Sequence, residues 1–158
     1  MNVISIDPGV SNIGVYVSVN GKQHTFVESV ASSPRDGNTT IDIEKLVSLC
    51  IRLIGKCVCE NMYLIIETQP PIPNSVKTVR NNVFVEAFVI SWFTQAFGST
   101  ERIKSVHPAS VKAHFGKPVG PKAKWMKMKV KEVMGLDLRT EHECDAALNA
   151  QYFIDSMN

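Results

Sequence analysis

The chain has 158 residues, of which 44% are hydrophobic, and its formal net charge is only +2. A chain of this length can bury a core without disulfides or a structural metal, so residues 1–158 are expected to form a single domain. No apolar run is long enough to cross a bilayer and no targeting segment is visible, so we expect a cytoplasmic rather than a membrane-spanning protein.

The opening third of the chain predicts three antiparallel strands. Residues 3–6 form a short run of mostly β-branched residues that Asp7 and a Pro-Gly pair end abruptly, as expected of a buried strand with a carboxylate at its rim. A second strand is predicted at 15–19, and Asn20-Gly21 is a strong hairpin signal that leads into a third strand at 22–30.

A helix and a buried fourth strand follow. After a polar loop, Thr39 and Thr40 are good helix caps, and apolar residues recur at helical spacing from 43 to 54. Residues 63–66 are all apolar, which is typical of a central strand covered on both faces, and Glu67 comes directly after them. The first and fourth strands therefore each end in a carboxylate.

The second half of the chain predicts mostly helices. Its predicted elements are a loop at 68–75, an apolar helix at 81–97, a strand at 102–106, a brief helical turn capped by Ser110, a helix at 122–134 closed by Gly135, and a last helix at 141–156 opened by a capping box of Thr140 and Glu143. This order is that of the ribonuclease H-like fold, an α/β fold in which helices flank a five-stranded mixed sheet. In that fold the ends of the first and fourth strands are neighbours, and the last helix crosses nearby.

Charge is unevenly distributed along the chain. Every charged residue from Arg102 to Lys131 is a lysine or an arginine. A solvated helix face would normally mix charges of both signs, so this segment favours a surface that contacts phosphates. The predicted contacts are Lys112, Lys117, Lys122, Lys124, Lys127 and Lys131.

Four short motifs lie along nearly the whole chain. They are Ile6-Asp7-Pro8-Gly9, Ile66-Glu67 with Gln69, Pro108 with Val111-Lys112 and the downstream Lys122, and His142 with Asp145-Ala146-Ala147-Leu148. Together they resemble the RuvC family of Holliday junction resolvases, to which the poxvirus-type viral resolvases are related. The resemblance implies that Asp7, Glu67 and Asp145 are catalytic, metal-binding carboxylates and that Lys112 and Lys122 lie near the junction.

The same resemblance implies an activity and partners. The family cuts four-way DNA junctions symmetrically, as a homodimer, with divalent metal. We therefore expect a structure-selective endonuclease, a hydrolase of the crossover junction endodeoxyribonuclease class, that binds branched DNA through the six lysines. The expected cofactor is a pair of Mg²⁺ ions, for which Mn²⁺ can substitute. The host is left open between a bacterium, a phage and a virus-infected cell.

Two positions depart from the family pattern. His142 stands where many members carry an aspartate, and because some bacterial members also have histidine there, we keep it as a catalytic and metal-binding candidate. Glu141 and Glu143 are alternative sources of that charge. The loop after Glu67 is Thr68-Gln69-Pro70-Pro71, without the aromatic residue that bacterial members use to stack on a base, so how the junction is opened is not predicted.

The chemistry of the three acids agrees with this hypothesis. Mg²⁺ prefers carboxylate oxygens, and two ions roughly 3.5–4 Å apart can activate water and stabilise the leaving oxygen of a phosphodiester. Taken singly, each acid has an equally good structural explanation, as the cap of a turn, the end of a strand or a helix surface. Carboxylates that converge in one cleft would raise one another's pKa, a cost that a bound cation relieves.

Other interpretations stay open. A nuclease of the same fold acting on an RNA/DNA hybrid or a flap, and a non-catalytic DNA-binding protein, share these features. A nucleotide binder of the sugar-kinase or actin type also ends its first strand in Asp, but it duplicates the domain. The apolar stripe of Phe84, Phe88 and Trp92 is interpreted first as core and second as part of a two-fold interface.

Overall fold

The computed structural model describes residues 1–32, 40–56, 61–68 and 76–157, except for the side chains of 76–78. Within these ranges five strands form one mixed sheet, in the order β3-β2-β1-β4-β5. The strands are β1 (Asn2–Asp7), β2 (Ile13–Val19), β3 (Lys22–Glu28), β4 (Met62–Glu67) and β5 (Ile103–Val106). The described helices are α1 (Ile43–Lys56), α2 (Val76–Phe97), α3 (Pro108–Phe115), α4 (Lys122–Met134) and α5 (Glu141–Ser156). The predicted five-stranded mixed sheet with flanking helices is confirmed.

Strand pairing brings the ends of β1 and β4 together. The two strands run parallel, with Ile6 opposite Ile66, so Asp7 and Glu67 follow at the same edge of the sheet. On its other side β1 pairs antiparallel with β2, and Asp7 lies opposite Gly14. Two carboxylates that are sixty residues apart in sequence are thereby placed on adjacent strands.

The sheet has a buried core on each face. On one face α1 and α2 cover apolar side chains such as Ile4, Ile6 and Leu64. On the other face α4 and α5 pack over Val3 and Ile65. Burying each such side chain contributes about 1.5–3 kcal/mol, so both layers stabilise β1 and β4. The alternation of a strand places Asp7 on the same side as Val3, towards α5.

The helix α5 lies unusually close to the sheet. The capping box of Thr140 and Glu143 begins it as predicted, and the small residues Ala146 and Ala147 are fully buried. A Cβ atom added to Gly14 would lie 2.0 Å from the backbone oxygen of His142, so β2 and the first turn of α5 are in contact through their backbones. This close approach places His142 beside Asp7.

Several predicted boundaries are confirmed by local backbone geometry. Asn20 and Gly21 both have positive φ angles, 50° and 78°, as a two-residue type I′ hairpin requires. Gly135 closes α4 in the left-handed conformation, with φ 70°. No helix in the described ranges has the length and apolar character needed to cross a membrane.

Other predictions about caps and boundaries were wrong. Thr40 does not cap α1, because Asp42 accepts a hydrogen bond from the Lys45 amide at 3.2 Å; Thr39 lies outside the described residues. The cap of α3 is His107 rather than Ser110: its Nδ1 accepts from the Ala109 amide at 3.1 Å. The proline after His107 holds it in the extended conformation that a cap adopts.

Two element lengths also differ from the prediction. The strand β3 ends at Glu28, two residues early, where the chain leaves the sheet. The helix α2 begins at Val76, five residues early, because its first residues include no Pro or Gly to stop it. Phe88 and Trp92 pack against the core as predicted, whereas Phe84 is exposed.

Candidate active site

Asp7 and His142 form the first contact of the site. Asp7 ends β1 and its side chain is only 12% exposed. The Nδ1 of His142, in the first turn of α5, lies 2.9 Å from Asp7 Oδ2 and donates a hydrogen bond to it. This hydrogen bond raises the pKa of His142 despite the opposing effect of burial. The imidazole therefore holds the carboxylate in one orientation.

Glu67 is the most perturbed acid of the site. Burial raises its pKa to about 7, and the charge of Asp7 and, more weakly, that of Asp145 add to the shift. The side-chain amide of Asn149, on α5, donates a hydrogen bond to Glu67 Oε2 at 3.0 Å. This hydrogen bond lowers the pKa of Glu67 and so offsets part of the shift. Glu67 therefore exchanges its proton near neutral pH.

Asp145 and Lys122 form an ion pair between α5 and α4. Lys122 Nζ lies 3.1 Å from Asp145 Oδ2, and the two side chains are 47% and 21% exposed. Burial raises the pKa of Asp145, while the charge of Lys122 lowers it. Burial lowers the pKa of Lys122, but Asp145, Glu141 and Glu67 together raise it above its ordinary value. The acidic cluster therefore keeps the ammonium charged.

A pocket of about 230 Å³ opens between these groups. It is lined by Glu67, Asp145 and Asn149 together with the lysines Lys112 and Lys122. Its remaining lining is mostly apolar and comes from Pro108, Val111, Trp125, Met126 and Leu148. Acidic and basic groups thus share one small cleft between β4, α3, α4 and α5.

The three predicted acids are neighbours, although they are not arranged as a ready metal centre. Asp7 and Asp145 both raise the pKa of Glu67, and Asp7 also raises that of Asp145. Among the described residues, no three His, Cys, Asp or Glu side chains are grouped so as to hold a metal ion. Carboxylates that repel one another suit Mg²⁺ or Mn²⁺. The donor set therefore fits a divalent cation in chemistry, and the side chains would have to turn towards it.

The alternatives to His142 differ in their surroundings. The Glu143 carboxylate accepts hydrogen bonds from the Thr140 amide at 2.9 Å and the Thr25 hydroxyl at 3.1 Å, so it fastens α5 rather than facing the pocket. In this structure Glu143 caps α5, and its role as an alternative source of charge stays a prediction. Glu141 is exposed and contributes charge near both Lys122 and His142.

The structure divides the six predicted lysines into two groups. Lys112 and Lys122 line the pocket. The other four are exposed: Lys117 lies between α3 and α4, and Lys124, Lys127 and Lys131 lie along α4. The last three share one helix face, at spacings of three and four residues. Their neighbour Lys129 pairs with Glu132 at 2.7 Å instead.

Two contributors to the site were not predicted. Asn149 shares a helix face with His142 and Asp145, and this spacing is the signal in the sequence that it could reach the carboxylates. Gly14 was not singled out, although a glycine inside a strand often marks a close backbone approach.

Comparisons with known proteins identify the fold. No protein-family model matches the sequence, and no curated protein matches it significantly. The structure is similar to Thermus thermophilus RuvC in complex with a Holliday junction substrate, at a TM-score of 0.71 and 20% identity over 99% of this chain and 96% of that one. A second structure of Thermus thermophilus RuvC gives the same TM-score and identity over 99% and 97% of the two chains.

A mitochondrial protein shares the fold more distantly. The yeast mitochondrial Holliday junction resolvase Ydc2 matches at a TM-score of 0.57 and 15% identity, over 96% of this chain and 78% of that one. At these identities the likeness shows that the chain has the ribonuclease H-like fold of RuvC.

Proposed function

We propose that the protein is a structure-selective endonuclease that resolves four-way DNA junctions by metal-dependent hydrolysis of phosphodiesters. The observation that carries this proposal is the convergence of Asp7, Glu67 and Asp145, from three elements, beside a pocket that Lys112 and Lys122 also line. The similarity to a RuvC structure that holds a Holliday junction substrate supports the choice of DNA.

In this proposal the chain's own residues bind, orient and exchange protons. Asp7, Glu67 and Asp145 would hold Mg²⁺ or Mn²⁺, and two such ions would activate water and stabilise the leaving oxygen. His142 orients Asp7 through Nδ1, which leaves Nε2 as the ring atom through which it would contact a cation. Asn149 orients Glu67 in the same way, through its amide.

The lysines supply the proposed DNA surface. Lys124, Lys127 and Lys131 form an exposed row on α4, the helix whose first residue, Lys122, reaches the acidic cluster. The row lies on the outer face of α4, so it would hold a duplex arm beside the pocket, while Lys112 would meet a phosphate in the pocket itself. Contacts of this kind give an affinity that falls steeply with salt.

A homodimer would supply the second active site that symmetric cutting needs. Among the described side chains of α1 and α2, six large apolar ones are exposed: Ile43, Val47, Ile51, Ile54, Val83 and Phe84. A patch of this kind on a soluble protein commonly marks an interface. It lies on the opposite face of the sheet from α4 and α5. A second copy bound there would leave both carboxylate clusters free to meet DNA.

The test is cleavage of an end-labelled four-way junction with and without Mg²⁺, with the nicks mapped on opposing strands. We expect paired nicks at symmetric positions, and no cutting of a linear duplex. The variant Asp7→Asn should bind the junction and leave it intact, because it loses a cation ligand and keeps the lysines. The exposed variant Asp137→Asn is the matched control and should cut normally.

Other outcomes identify the alternatives. If the protein cuts an RNA/DNA hybrid or a flap in preference to the junction, that nucleic acid is its substrate instead. Binding without turnover in either Mg²⁺ or Mn²⁺ would indicate a DNA-binding protein. Continued nicking by the Asp7→Asn variant would remove Asp7 from the catalytic group.

A further inference from the structure

Lys122 is not placed as an ordinary DNA-binding lysine. It is the first residue of α4, and its ammonium lies 3.1 Å from Asp145 Oδ2. The negative charges of Glu67 and Glu141 also raise the pKa of Lys122. Lys124, the next lysine of the helix, is exposed and forms no ion pair with any described residue. One lysine of the basic helix therefore points into the acidic cluster.

The charge of Lys122 is stabilised by the acids of the site rather than by its own helix. A positive charge at a helix N-terminus is disfavoured by the helix dipole. The first turn of α4 contains no acidic residue, and Pro121 provides no side-chain cap. The ammonium therefore depends on Asp145 and its neighbours for stabilisation. Since the Lys122 side chain is 47% exposed, it can exchange this partner for another anion.

We propose that Lys122 competes with the divalent cation for Asp145, and that a DNA phosphate relieves this competition by taking up the ammonium. The inference rests on the proposed function, because it assumes that the carboxylates bind a cation. An ammonium and a divalent cation repel each other at one carboxylate, so each weakens the binding of the other. Lysine suits this role because it carries a compact charge on a flexible stem.

The pocket offers a place to which the ammonium can move. Lys112 lines the same cleft as Lys122 and forms no ion pair with any described residue, so both lysines are placed to contact a phosphate bound in that cleft. Binding linkage is reciprocal, so whatever factor DNA adds to cation affinity the cation adds to DNA affinity. Cation binding in the absence of DNA would thereby be kept weak.

The first test measures Mn²⁺ binding without DNA, from the electron paramagnetic resonance signal of the free ion. The variant Lys122→Met should bind Mn²⁺ roughly two- to fivefold more tightly than the unmodified protein, the range expected of a half-exposed ion pair. Lys122→Arg keeps the charge and should stay near the unmodified value. Lys124→Met removes a charge from the same helix and should also change little.

The second test measures junction binding without any cation. Asp145→Asn should strengthen binding, because it releases Lys122 to the DNA, and this gain should vanish in the double variant Lys122→Met/Asp145→Asn. Glu141→Gln is the control, because Glu141 carries a negative charge near Lys122 but forms no hydrogen bond with the Lys122 ammonium. Thermal unfolding of each variant checks that the fold is kept.

The outcomes separate this inference from the proposed function. Equal Mn²⁺ affinities of the Lys122→Met and Lys124→Met variants would overturn the competition, even if the protein cuts junctions. An equal gain from Asp145→Asn in both backgrounds would overturn it as well. If the unmodified protein cuts no junction and yet both tests give the expected changes, the competition stands and the nuclease function fails.

Discussion

At the scale of single residues, Glu67 shows how folding can disfavour the charged form of a carboxyl group. Asn149 donates a hydrogen bond to its carboxylate, whereas burial and two neighbouring acids favour the protonated form. An acid whose pKa is raised by folding binds its proton more tightly in the folded state. The folded protein is then stabilised while the group is protonated and loses that stabilisation as the pH rises.

This predicts the pH dependence of stability in metal-free protein. The unfolding free energy should fall between about pH 4.3, the ordinary value for glutamate, and about pH 7, the raised pKa of Glu67. Glu67→Gln removes this contribution, which is on the order of 3 kcal/mol when complete. Urea unfolding across that range measures it, with the exposed Glu101→Gln as control. A parallel pH dependence in the Glu67→Gln variant would contradict the prediction.

At the scale of secondary-structure elements, the contact between β2 and α5 positions the site. The first turn of α5 reaches Asp7 because Gly14 leaves room for the backbone of His142. Only a residue without a side chain allows this approach, since an added Cβ atom would lie 2.0 Å from that oxygen.

The Gly14→Ala variant tests this packing. We expect it to lose about 1–3 kcal/mol of stability, the usual cost of an overpacked core. The pKa of His142, which the hydrogen bond to Asp7 raises, should move back towards its ordinary value in this variant. Urea unfolding and NMR titration measure the two effects. Gly55→Ala is the control, because an added Cβ atom there meets nothing within 4 Å; equal stability of the two variants would refute the packing argument.

The lysine row on α4 predicts a specific salt dependence. Replacing Lys124, Lys127 and Lys131 with Gln should weaken junction binding and reduce its salt slope by roughly 0.9 for each phosphate that the variant no longer neutralises. A fluorescence anisotropy titration at several salt concentrations gives the slope. The matched triple variant changes the exposed Lys22, Lys45 and Lys56, which lie on β3 and α1. The prediction fails if both triple variants have the same slope.

Element boundaries could be predicted where the determining residues are adjacent in sequence. The ends of α4 and α5 are confirmed because Gly135 and the Thr140 capping box act within one helical turn. The start of α1 at Ile43 was predicted from the apolar spacing, but its cap was not, because several polar residues precede the helix and the choice of Asp42 depends on the folded chain. The carboxylate edge was predictable from strand ends and Lys122 from its motif, but the contacts of Lys122 with Asp145 and of Asn149 with Glu67 were not. Their choice of acid depends on how distant helices pack.

At the scale of the whole molecule, the sheet separates two surfaces with different chemistry. The face covered by α4 and α5 carries the acidic cluster and the lysine row, while the α1 and α2 face exposes apolar side chains. In the proposed dimer the apolar face would be buried. The protein would then meet DNA and its second copy on opposite sides.

The Ile51→Glu variant tests the proposed interface. Ile51 is 64% exposed on α1, so the change should leave the fold intact but place a charge inside an apolar contact. Sedimentation should show a shift from dimer to monomer, and paired nicks on a junction should become single nicks. Met128→Glu, 56% exposed on α4, is the control and should keep the dimer. A dimer that survives Ile51→Glu would rule out this face.

The order in which the acids occur along the chain affects how the site is made during translation. Asp7 and Glu67 belong to β1 and β4, but Asp145 belongs to α5, the helix that follows every described strand. Asp145 is therefore synthesised after every described strand and after the lysines of α4. Because α5 also covers one face of the sheet, the last helix completes both that core and the proposed acidic site.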